Sequence, residues 1–160
     1  MNIQFLLSAA FCFGLVVNDA AAWHVNTAAC PKDPVEVAWV NYIDVSPCSE
    51  DPCSLQRGET YEMSISFETG PEPSDIPALT YHFWPIIHGI PYIPPGFNRT
   101  DACRKSGLRC PLGANTAYVY STLLPVASTA LPLDITVEVG LRDETTHIDL
   151  LCKRFQVKIV

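Results

Sequence analysis

The octapeptide Tyr61-Glu62-Met63-Ser64-Ile65-Ser66-Phe67-Glu68 alternates strictly between large apolar and polar side chains. Successive side chains of a strand point to opposite faces, so this period of two predicts a strand with one face in a core and the other in water. Leu133, Ile135, Val137, Val139 and Leu141 repeat the pattern against Asp134, Thr136, Glu138, Gly140 and Arg142. Outward from these two, weaker strand patterns run over Val35 to Val45, Leu79 to Ile87, Ile90 to Ile93, Thr116 to Leu124 and His147 to Ile159. In the last, the alternation shifts near Cys152 to Arg154, which predicts a bulge there. Arg142-Asp143-Glu144-Thr145 reads as the turn of a terminal hairpin, with solvated acids, and Arg57-Gly58 as the approach to a strand. No helix-period segment, internal repeat or low-complexity tract interrupts this. About seven short strands separated by turns predict an all-β, two-sheet β-sandwich of immunoglobulin-like class.

Prolines cluster at Pro71, Pro73 and Pro77, and again at Pro85, Pro91, Pro94 and Pro95. Proline cannot donate to a ladder, so the second cluster belongs on an edge strand or a loop. It carries Tyr92, Ile93 and Phe97, large apolar groups better suited to a mouth or contact surface than to a core.

The chain has 160 residues, one domain's worth. Hydrophobic residues make up 48% and charged residues 17%, enough apolar mass for a core and incompatible with a disordered chain. The net charge of -7 argues against nucleic-acid binding and against attraction to anionic membranes. Phe5 to Val17 is an apolar run followed by Ala20-Ala21-Ala22, which predicts a secretory signal peptide over residues 1–22 and a mature domain over 23–160. The run is too short for a bilayer span of roughly 20 residues. Removing it leaves sixteen acids against ten bases and six cysteines, an even set that in a secreted chain reads as three disulfides. Fifteen connectivities are formally open; the spacings favour local clips Cys48 with Cys53 and Cys103 with Cys110, leaving Cys30 to Cys152. No metal site is expected, because the cysteine and histidine spacings match no zinc pattern. Asn98-Arg99-Thr100 is a glycosylation sequon.

No catalytic constellation is present: a nucleophile elbow, a phosphate loop, a dinucleotide fingerprint and an H-E-x-x-H helix are all missing. His24, His82, His88 and His147 are scattered and read as surface or packing residues. Their joint protonation would move the mature charge from -6 towards -2, favouring acid-strengthened association. The apolar faces fit either a filled core or the lining of a lipid cavity, since periodicity does not measure void volume; pattern alone favours the filled core.

The cysteine frame and its neighbours are distinctive. Val45-Ser46-Pro47-Cys48, Asp51-Pro52-Cys53-Ser54-Leu55 with Arg57-Gly58, Asp101-Ala102-Cys103, Gly107 to Leu112 as GLRCPL, and Leu124-Pro125-Val126 together resemble the ML (MD-2-related lipid-recognition) family, in particular its Niemann-Pick type C2-like sterol-transfer branch. The resemblance runs from Cys30 to Ile159. It implies the same three disulfides, an apolar cavity between the sheets for one sterol or acyl chain, no cofactor and no covalent chemistry. Carried onto this chain, the wall would include Leu55, Tyr61, Met63, Phe83, Leu133, Ile135, Val137 and Val139, with Tyr92, Ile93, Pro125, Val126 and Leu131 at the mouth.

The implied partners are a sterol or other apolar lipid, a membrane sterol transporter or receptor, and a bilayer touched transiently by a monomeric carrier, either secreted or in the lysosomal lumen. Two departures stand out. The branch tends to carry Trp where this chain has Val139 and Lys153, and a Pro-Phe-Pro mouth where it has Tyr92-Ile93-Pro94-Pro95, which points to a fatty acid or phospholipid as an alternative ligand. Other branches present lipids to receptors in immunity or chemosensing and carry basic residues at the mouth to meet phosphate; here Arg99, Arg104, Lys105 and Arg109 cluster near Cys103 to Cys110, a short group that a solvated loop explains better. A packed structural or adhesion domain is the third reading.

Overall fold

The computed structural model describes residues 23–31, 37–73, 75–93, 100–104 and 106–160. The expected signal peptide, residues 1–22, and the Asn98 sequon lie outside the described residues, as do Pro94, Pro95, Phe97, Arg99 and Lys105. In chain order the strands are β1 (Trp23–His24), β2 (Ala28–Ala29), β3 (Ala38–Ser46), β4 (Cys53–Leu55), β5 (Thr60–Thr69), β6 (Asp75–Ile76), β7 (Leu79–Ile87), β8 (Ile90–Pro91), β9 (Thr100–Asp101), β10 (Leu112–Gly113), β11 (Ala117–Pro125), β12 (Asp134–Asp143) and β13 (Asp149–Ile159). Among the described residues there is no helix, and hence none long and apolar enough to cross a membrane.

The period of two in Tyr61 to Glu68 becomes β5, the centre of a four-stranded sheet ordered β1-β3-β5-β11. Its apolar set meets apolar partners on both sides: Ile65 lies opposite Ile43 and Tyr120, and Phe67 opposite Val40 and Tyr118. The second sheet runs β2-β13-β12-β7-β8, with β4 added parallel to β13 and β9 antiparallel to β7. There Val137 lies between Pro85 and Phe155, and Leu141 between Tyr81 and Leu151. Directly opposed residues share a face, so these rows form a second apolar wall. The two walls pack as a sandwich whose core holds Met63, Ile65, Phe67, Val137, Val139 and Leu141. A short β10-β6 pair completes the sheets.

The three disulfides are Cys30–Cys152, Cys48–Cys53 and Cys103–Cys110. Pro85 sits in β7, the last long strand of its sheet, and Pro91 in the two-residue β8 beyond it, the edge position that a missing donor requires.

Three expectations need correction. The irregularity in the last strand is earlier than Cys152 to Arg154: Leu151 faces Leu141 while Asp149 faces Arg142, so Leu150 is the extra residue. Ile90 to Ile93 contributes only Ile90–Pro91 to the sheet. Asp143 is not solvated. It is 2% exposed, and its carboxylate accepts hydrogen bonds from the Thr145 amide and the Thr146 hydroxyl, both at 2.8 Å. Burial pushes its pKa up, but these hydrogen bonds outweigh that and hold it below the usual carboxylate value.

Candidate functional site

Five of the thirteen residues expected to meet a lipid lie in the closed interior. Met63, Val137 and Val139 have no solvent exposure, Leu55 and Tyr61 very little. A side chain lining a water-sized void would retain accessible area, so the walls touch around Met63, Val137 and Val139. Farther in, Tyr81 and Tyr120 bridge the two sheets with ring centroids 5.3 Å apart, and Phe67 meets Tyr118 at 5.8 Å. Burial raises the Tyr120 phenol far above its ordinary value; its Thr122 hydrogen bond opposes this and its contacts with Tyr81 add to it. Tyr61 turns its hydroxyl away from the interior, where it accepts the Gln56 amide at 2.8 Å.

Towards one end the packing loosens. Phe83, Ile135 and Val126 are half-buried against the core. Beyond them Tyr92, Ile93, Leu131, Leu133 and Pro125 are exposed, Leu131 at 71%. The backbone brings these together. Ile86 lies opposite Thr136, so the end of β7 and the start of β12 share one end of the sandwich. Residues 126–133 cross from the smaller sheet to the larger over that end. The crossing is pinned by Gly58 N–H to Val126 O (2.8 Å), Val126 N–H to Glu59 O (2.9 Å) and Ile159 N–H to Leu133 O (3.0 Å). Gly58 has φ +85°, a left-handed turn that suits glycine. The Tyr92 amide donates to Pro85 O at 2.7 Å and holds the β7–β8 hairpin beside it.

Sequence reasoning missed two rim residues, Ile87 (43% exposed) and Ile90 (70%), which flank the His88-Gly89 turn. Their signal was an apolar pair astride a turn, a place where a core is not available. The rim so formed is uncharged: residues 87–93 and 125–133 contain no Lys, Arg, Asp or Glu.

On the outer face of the larger sheet, Arg154 forks onto Glu138 Oε2 with Nε at 2.8 Å and a terminal nitrogen at 2.7 Å. His82, 3% exposed, stacks on Trp84 with centroids 4.0 Å apart and places Nε2 3.6 Å from Glu138 Oε1. Cys30, Cys152 and Glu138 bring potential ligand atoms within 4.8 Å of one another, but both sulfurs are spent in the disulfide and are not thiolates. Arg104 is exposed and pairs with Asp101 at 3.2 Å.

The family profile described as the ML domain matches residues 24–159. The chain belongs to the ML domain family. Similar relatives include the NPC intracellular cholesterol transporter 2 of Danio rerio, 35% identical over 118 residues and covering 74% of this chain and 75% of that protein. The Mus musculus protein of the same name is 32% identical over 124 residues, 78% and 79% of the two chains. The ecdysteroid-regulated 16 kDa protein of Manduca sexta is 29% identical over 119 residues, 73% and 78% of the two. A crystal structure of a Niemann-Pick type C2 protein from the Japanese carpenter ant aligns with TM-score 0.67 at 21% identity, covering 81% of this chain and 98% of that one, which shows the shared sandwich.

Proposed function

We propose that this ML domain carries one sterol or similarly sized apolar lipid between its sheets and hands it to a membrane or a membrane protein, working as a monomer outside the cell or in the lysosomal lumen after removal of residues 1–22. The observation that carries this reading is the uncharged apolar rim of Ile87, Ile90, Tyr92, Ile93, Leu131 and Leu133, gathered at the one end where Phe83, Ile135 and Val126 are half-buried. Exposed apolar groups concentrated in one place mark a binding surface, and here the surface leads to an apolar interior. Relatives named as intracellular cholesterol transporters support the ligand class. A sterol needs an apolar wall with its hydroxyl left near water. Burying about 300 Å² of ligand at roughly 25 cal/mol per Å² supplies about 7 kcal/mol before association costs, enough for micromolar binding or better.

The test is native mass spectrometry of secreted protein with lipid extraction, followed by transfer of a fluorescent sterol between neutral vesicles. A stoichiometric lipid, with Leu131→Asp and Tyr92→Asp slowing transfer while the lipid stays bound, supports the reading. Protein that neither retains nor competes for labelled sterol or fatty acid overturns it.

A further inference from the structure

Among the described residues, the apolar part of the interior wall holds one cation. Along β13, Leu151, Phe155, Val157 and Ile159 are buried on the inner face, while Cys152, Arg154, Gln156 and Lys158 belong to the opposite one. Lys153 falls in the inner set. Its register partner is Val139, which has no solvent exposure and whose other neighbour is Phe83 on β7. Lys153 therefore stands halfway along the wall, between residues expected to line the lipid. The remaining cations of this sheet are elsewhere: Arg154 is forked on Glu138, Lys158 lies opposite Asp134 and Arg142 opposite Thr80, all on the outer face. Strands β1, β3, β5 and β11 contain no Lys or Arg. Among the described residues, Lys153 is the one cation on the inner face of either sheet.

An ammonium on an apolar wall is costly unless an anion or water meets it. Lys153 is half-buried and keeps a contact of its own within the protein, which a ligand anion would have to join or replace. A sterol hydroxyl is neutral and supplies no countercharge; a carboxylate supplies one in a charge-assisted hydrogen bond. We infer that Lys153 is a specificity-determining residue that selects a long-chain fatty acid, carboxylate inward at Lys153 and tail towards the rim. This rests on the lipid-carrier reading and narrows its ligand class.

The dimensions agree. From Val139 to Leu133 is six residues of extended chain, about 20 Å at roughly 3.4 Å per residue. A bilayer core about 30 Å thick holds two acyl chains end to end, so one spans about 15 Å. A tail anchored at Lys153 thus runs past Phe83, Val137 and Ile135 and ends inside the rim.

The inference is tested by displacement of a fluorescent fatty acid from the full mature chain by oleic acid, methyl oleate, oleyl alcohol and cholesterol at neutral pH. The acid and its methyl ester differ in charge and little in shape. Wild type should bind the acid at least about tenfold more tightly than the ester. Lys153→Met should erase that preference while ester affinity stays within about twofold, and Lys153→Arg should retain it. Equal affinity of wild type for acid and ester overturns the inference whether or not the variants fold, and so does a preference that survives in Lys153→Met. If cholesterol and the ester bind while the acid gains nothing, Lys153 is no reader and the carrier reading stands; if none of the four binds, the carrier reading itself has failed.

Discussion

Replacing Gly140 with alanine should destabilise this sandwich through one ring. Gly140 lies on β12 between His82 and Cys152. A Cβ there would meet His82 Cε1 at 2.4 Å and Nε2 at 3.0 Å, with the Leu151 carbonyl oxygen also at 3.0 Å. The ring has little freedom to retreat, because it is 3% exposed, stacked on Trp84 and set against Glu138. Taken alone, glycine to alanine in a strand interior would gain about 0.5–1 kcal/mol. Overpacking a filled site costs about 1–3 kcal/mol, and displacing a stacked, buried imidazole puts the cost at the upper end, so the net loss is about 2 kcal/mol. For a domain of this size that lowers Tm by about 4–8 °C. Urea unfolding with unchanged m-value is the assay. The decisive comparison is the double-mutant cycle: in a His82→Ala background the ring is gone, and Gly140→Ala should fall within about 0.5 kcal/mol of neutral. An equal loss in both backgrounds would refute this reasoning and shift the blame to the Leu151 carbonyl.

Three other outcomes follow from the same geometry. Converting Cys30 and Cys152, 122 residues apart, to alanine should lower urea stability by about 5 kcal/mol on chain entropy, against about 2 for either local clip, Cys48–Cys53 or Cys103–Cys110. Asp143→Asn should cost about 1–3 kcal/mol at neutral pH by weakening the Thr145 and Thr146 bonds. Because the folded pKa of Asp143 lies below its unfolded value, its contribution is full above about pH 5 and fades as pH falls through the folded pKa, so wild-type and variant stabilities should converge in acid. Tyr120 is the reverse case: its raised folded pKa lets the unfolded chain lose the proton first, so stability should fall as pH rises above about 10, and Tyr120→Phe should lessen that alkaline loss in a denaturation series.

The strands that the sequence made legible are those with one buried and one wet face. Tyr61 to Glu68 alternates because β5 meets that condition, whereas β12 is buried on both faces over residues 137–141 and meets it only towards its ends. The displaced bulge in β13 shows where the logic stops. Around Gly140 the outer face is itself covered, with His82, Glu138 and Cys152 all buried, so polarity there no longer reports direction. Cys152 is outward and buried by its disulfide, Lys153 is inward and charged, and Leu150 and Leu151 are consecutive and both buried. A reader of alternation places the irregularity at the cysteine, whereas the backbone places it at Leu150. The rim was half legible: Tyr92, Ile93 and Leu131 stand in segments that proline keeps out of a sheet. Ile87 and Ile90 belong to strand ends, where sequence does not say whether a neighbouring layer covers them.

Void volume was the one quantity that pattern could not supply, and the closed interior gives it a thermodynamic meaning. Met63, Val137 and Val139 have no solvent exposure, so a lipid that parts the sheets exchanges apolar contact with protein for apolar contact with ligand. Per unit area that exchange is close to neutral, since both surfaces are out of water before and after. The favourable term therefore comes from the ligand's own apolar surface leaving water, together with whatever rim surface the ligand covers. The opposing term is the strain of separating β5 and β11 from β12 and β7, and the Tyr81–Tyr120 bridge holds those sheets together at the inner end. Opening is consequently easiest from the side where Phe83, Ile135 and Val126 are already loosely packed. The exposed rim and the route into the interior thus coincide for a physical reason: apolar groups that the protein's own packing leaves uncovered sit at the end where a ligand would enter and bury them.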